Sequence, residues 1–121
     1  MKFSTVCTAL LSLTLANARV ISRQTDEKFQ ATNYGAYDGK ISGEIETPEG
    51  CENVQVFWAA GDAWQKTPIP TESRWFNKFR HVSYWAFSSP APGATQFYLK
   101  ATCAGKDIYA PGNFVNYQLN H

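Results

Sequence analysis

Apolar and polar residues alternate along this chain in short runs, each closed by Gly, Pro, Asn or Asp. Residues 39–47 set Ile41 and Ile45 at one parity against Lys40, Glu44 and Glu46 at the other, which predicts a half-buried strand. Thr47-Pro48-Glu49-Gly50 reads as a turn, and residues 53–60 as a second strand. There Val54, Val56 and Trp58 share one face and Gln55 and Phe57 the other. Gly61-Asp62-Ala63-Trp64 follows as a loop presenting a tryptophan, and Pro68 and Pro70 exclude a helix nearby. Trp75, Phe76 and Phe79 belong to a strand or its edge. Residues 82–88 alternate Val82, Tyr84, Ala86 against Ser83, Trp85, Phe87. After the Ser89-Pro90-Ala91-Pro92-Gly93 connection, residues 96–110 form a hairpin turning at Ala104-Gly105-Lys106. It sets Phe97, Leu99 and Ala101 against Tyr98, Lys100 and Thr102. Residues 114–119 close the chain as a last strand. Regular short strands without helical periodicity predict an all-β, immunoglobulin-like antiparallel β-sandwich.

The start of the chain is different. Lys2, an apolar stretch over residues 6–15 and Ala16-Asn17-Ala18 have the order of a signal peptide with its cleavage site. The stretch falls well short of the ~20 residues that cross a bilayer. The expected organisation is therefore a signal peptide at 1–18, a flexible N-terminal arm at 19–33 and one sandwich domain at 34–121, secreted and extracellular. Cleavage after Ala18 is the first choice, with trimming after Arg23 the weaker one. Cys7 leaves with the leader, so Cys51 and Cys103 remain to form one disulfide in an oxidising compartment. Its loop is long enough for about 4 kcal/mol of chain-entropy stabilisation. Two cysteines without a neighbouring histidine cannot complete a zinc shell, so no metal or cofactor is expected.

The 11 bases and 10 acids become balanced once Lys2 is removed, and no basic patch stands out. That argues against nucleic acid or an anionic membrane as partner. Composition then changes the picture. The chain holds 4 tryptophans, 6 tyrosines and 8 phenylalanines, more large rings than one small sandwich core takes up, so some must face solvent. Tyr98 and Tyr109 on the outward side of the hairpin, with Trp64 on its loop, would offer flat apolar surfaces to sugar rings. Asn113 and Asn116 are turn residues that could pair with hydroxyls. Ile108 and Tyr109 would exchange faces on a one-residue slip. Trp58 and Trp85 read as core and Tyr117 as structural, while Trp75, Phe76 and Phe79 stay open between edge packing and a second contact surface. Catalysis finds little support. His81 has no nucleophile motif around it, and Glu44 and Glu46 sit as solvent-facing acids on a strand rather than across a cleft. The chain is expected not to be an enzyme.

Several runs, taken in order, resemble the family 21 starch-binding modules found at the start of some fungal glucoamylases and in glycogen-targeting phosphatase subunits. They are Asp38-Gly39-Lys40-Ile41-Ser42-Gly43, the stretch from Val54 to Trp64, Tyr84-Trp85-Ala86-Phe87, Gln96-Phe97-Tyr98-Leu99-Lys100-Ala101, Gly105-Lys106-Asp107-Ile108-Tyr109 and Asn116-Tyr117-Gln118. Together they cover roughly residues 34–119. The resemblance implies an α-glucan ligand such as starch or glycogen, with Trp64, Tyr98 and Tyr109 as its stacking rings. The family's acidic-Asn-Asn run is replaced by Ala110-Pro111-Gly112-Asn113, leaving Asn113 and Asn116 as the amide donors. The second sugar site of the family lacks its tyrosine at Gly50-Cys51. A monomeric carbohydrate-binding module is thus the first expectation. A secreted fungal-type effector or surface protein, using the same sandwich on a host protein, is the alternative.

Overall fold

The computed structural model describes residues 24–112 and 115–119. The expected signal peptide, its cleavage sites and Asn113 lie outside them. Two antiparallel sheets pack face to face. The first runs β1 (Gln30–Tyr37), β2 (Lys40–Pro48), β7 (Val82–Pro90) and β6 (Glu72–Asn77), in that spatial order. The second centres on β3 (Cys51–Ala60) paired with β8 (Gln96–Cys103). Short β4 (Ala63–Trp64) and β5 (Ile69–Pro70) extend it beyond β3, and β9 (Lys106–Ala110) and β10 (Tyr117–Gln118) beyond β8. The all-β sandwich expected from the alternation is the fold observed.

One expectation needs correction. Residues 30–33 of the supposed flexible arm belong to β1, which pairs with β2 from Gln30↔Glu46 to Tyr37↔Lys40. Their outward face meets water at a sheet edge, so the strand carries too few apolar residues to show an alternation. Its attachment comes from the ladder and from Phe29 and Ala31, both buried.

The inward faces follow the pattern. Ile41, Ile45, Val56, Phe97, Leu99 and Ala101 are fully buried, with Val54, Trp58 and Phe87 nearly so. Phe97 is the aromatic hub. It meets Phe87 edge-on at 5.8 Å, stacks on Tyr117 at 4.9 Å and receives Tyr34 edge-on at 5.1 Å. Truncating such a buried ring to alanine costs about 3–5 kcal/mol. Tyr117 Oη also accepts a hydrogen bond from Ala31 N at 3.0 Å, tying β1 to the core. Trp85 packs against the same core and donates from Nε1 to Thr47 Oγ1 at 2.9 Å.

Between β3 and β8 the register shifts once, between Glu52 and Gln55, with Asn53 at φ 53°. Asparagine accepts that left-handed conformation more readily than most residues. The shift lets Cys51 and Cys103 face each other directly at one end while Phe57 faces Tyr98 further along. The two cysteines form the expected disulfide.

Candidate functional site

The outward face of the second sheet carries the site. Along β8, Gln96, Tyr98 and Lys100 point away from the core because Phe97, Leu99 and Ala101 point into it. On β9, Ile108 pairs with Ala101 and is buried, so Tyr109, opposite Lys100, stands on the outer face. The one-residue ambiguity between Ile108 and Tyr109 is thereby resolved. On β3, Phe57 lies opposite Tyr98. Trp64 on β4 lies opposite Ala59, which is fully buried and offers only a methyl group beneath the indole.

Four rings meet as a result. Tyr98 stacks nearly parallel on Phe57, with centroids 5.1 Å apart and planes 11° apart. Trp64 lies 5.3 Å from Tyr98 at 59°, and Tyr109 lies 6.4 Å from Tyr98 at 42°. Tyr98 is therefore the middle of a row, with Trp64 on one side and Tyr109 on the other. Trp64 is 40% exposed, and Tyr98 and Tyr109 are half-buried. The centroids are spaced at 5.3 and 6.4 Å along the row, so neighbouring units of a sugar chain could meet neighbouring side chains. Phe57 belongs to the group although sequence reasoning passed it over. Alternation already put it on the outer face, but its pairing with Tyr98 depends on the register across the bulge.

Polar groups border the row. Lys100 Nζ is 3.7 Å from Asp107 Oδ2, and Thr102 Oγ1 donates to Asp107 Oδ1 at 3.0 Å. At the other end, Gln96 Nε2 donates to the Gly61 carbonyl at 2.8 Å. Asn116 Nδ2 donates to Gln96 Oε1 at 3.0 Å, and the buried Asn116 Oδ1 has no partner among the described residues. The structure thus places Asn116 against Gln96 as a brace.

A second ring pair occupies the opposite face of the sandwich. Trp75, 59% exposed, stacks on Tyr84 at 4.8 Å and 23°. Arg80 donates to Tyr84 Oη at 3.0 Å and forks to both carboxylate oxygens of Glu46. The hydrogen bond and charge of Glu46 hold the Arg80 guanidinium above its ordinary pKa. Glu46 is therefore buried beneath Arg80, contrary to its reading as a solvent-facing acid. Phe76 is 41% and Phe79 88% exposed, neither in the Trp75–Tyr84 stack. His81 Nδ1 sits 3.1 Å from Glu49 Oε1, both side chains in solvent.

No family model matches this chain, and no curated protein does. Among solved structures, it is similar to the starch-binding domain of Rhizopus oryzae glucoamylase, determined in complex with beta-cyclodextrin and maltoheptaose. The likeness covers 83% of this chain and 99% of that one, at a TM-score of 0.65 and 26% identity. The fold matches that of a starch-binding domain. Taken with the exposed rings, this points to carbohydrate binding.

Proposed function

We propose that this protein is a secreted, non-catalytic carbohydrate-binding module of the family 21 type, recognising α-glucans. The observation that carries the reading is the row Trp64–Tyr98–Tyr109 on one outward sheet face, in a fold similar to a domain solved with two glucose-based ligands. Glucose rings would lay their apolar faces on the row, each contributing chiefly through the apolar area it covers, at about 25 cal/mol per Å². Affinity per site is accordingly modest. The ligand is a neutral polysaccharide, the module acts as a monomer outside the cell, and it needs no cofactor or metal.

Titration with maltoheptaose, followed by tryptophan fluorescence, tests this. The expected result is a saturable quench or shift, weakened by Tyr98→Ala and by Tyr109→Ala, together with retention on amylose. No spectral change and no retention would overturn it. One observation favours the alternative of an effector directed at a host protein. The Asn116 amide is tied to Gln96, which leaves few amides along the row for hydroxyls. Absence of glucan binding would favour that reading.

A further inference from the structure

The hairpin that carries Trp64 is slight. β4 is two residues long and pairs with β3 at Ala60↔Ala63 and Ala59↔Trp64, with one further backbone bond from Gln65 N to the Trp58 carbonyl at 3.0 Å. So short a ladder at a sheet edge does not fix a large ring by itself. The turn between the strands, Gly61-Asp62, is instead fastened from β8. The Gly61 N–H donates to Thr95 Oγ1 at 2.9 Å, and the Gly61 carbonyl accepts from Gln96 Nε2 at 2.8 Å. Both backbone groups of one turn residue are thus held by consecutive residues leading into the strand that bears Tyr98. Thr95 is itself anchored, its N–H on the Ala59 carbonyl at 2.8 Å and its carbonyl on the Leu119 N–H at 2.9 Å.

The orientation of the Gln96 amide is set by its other end. Asn116 Nδ2 donates to Gln96 Oε1, so the amide must turn its N–H groups toward Gly61. We propose that Gln96 is a positioning residue for Trp64, with the Asn116–Gln96–Gly61 relay fixing the angle at which the indole meets Tyr98. The consequence for ligand rests on the carbohydrate-binding reading, but the positioning itself does not.

Gln96→Glu isolates the decisive bond. The carboxylate keeps the size of the side chain and still accepts from Asn116, yet it cannot donate to the Gly61 carbonyl. Gln96→Met, which removes both polar ends, serves as the second variant. Each is compared with wild type and with Trp64→Ala by near-ultraviolet circular dichroism and by maltoheptaose titration. The part of the dichroism that Trp64→Ala abolishes defines the Trp64 signal. The expected result is a changed Trp64 signal and an affinity lowered about three- to tenfold, the size of one lost hydrogen bond. In the Trp64→Ala background, Gln96→Glu should change neither readout further. An unchanged Trp64 signal in both variants would overturn the proposal. An equal additional loss of affinity in the Trp64→Ala background would also overturn it, since Gln96 would then touch the ligand itself. If wild type binds no maltoheptaose, the functional reading falls while the dichroism still decides the role of Gln96.

Discussion

Trp64→Ala should weaken maltoheptaose binding about tenfold without unfolding the protein. The indole is 40% exposed. Of the roughly 250 Å² a tryptophan can bury, that leaves about 100 Å² to a ligand. A sugar ring covering half of it removes ~50 Å² of apolar surface from water, which is about 1.3 kcal/mol at ~25 cal/mol/Å² and so close to a factor of ten in Kd. Alanine at this solvent-facing strand position leaves the core intact, so the unfolding midpoint should move by only a few degrees. Tyr37→Ala is the matched control. Tyr37 is 85% exposed, but it sits on β1 in the other sheet. Isothermal titration of the three proteins gives the answer. A Trp64→Ala affinity within about twofold of wild type would refute the stacking argument, as that is only ~0.4 kcal/mol. So would an equal loss from Tyr37→Ala, because the effect would then belong to any exposed ring.

Two further predictions concern stability. Replacing Cys51 and Cys103 together by serine opens a link between residues 52 apart and should lower unfolding free energy by about 4 kcal/mol, read from urea denaturation; a loss under ~1 kcal/mol would contradict the loop-entropy account. For Tyr117, burial raises the phenol pKa above its usual value. Above about pH 10 the unfolded chain gives up this proton while the folded one keeps it, so stability contributed by Tyr117 is present below that pH and lost above it. Wild type should exceed Tyr117→Phe by about 0.5–1.5 kcal/mol at neutral pH through the bond from Ala31 N, and that lead should shrink in alkali. A lead independent of pH through this range would show the group titrating alike in both states.

Much of the sandwich was legible because burial imposes a period of two. Ile41, Ile45, Val54, Val56, Phe97 and Leu99 all announce their inward face by spacing alone. What escaped lies where that constraint is weak. Gln30–Tyr37 is an edge strand whose outer residues answer only to water, so its pairing with β2 left no mark in the hydrophobic pattern. Phe57 and Tyr98 share a face by parity, yet their contact depends on where the bulge at Asn53 resets the register. The Trp75–Tyr84 stack likewise needs a register shift between Ser73 and Trp75 that no spacing reveals. Asn116 reads locally as a turn residue, and its partner Gln96 is brought to it by β10 crossing beside β8.

The four rings Phe57, Trp64, Tyr98 and Tyr109 draw on four strands that fall into two sequence-near pairs, β3 with β4 and β8 with β9, remote from each other. A synthetic peptide spanning β8 and β9 would carry both tyrosines and still lack the indole, its turn and the phenylalanine beneath. Recognition is thus a property of the completed sheet. It should appear only once β3 has found β8 across the 35 residues between Ala60 and Gln96, making ligand capture a reporter of full folding rather than of any local fragment.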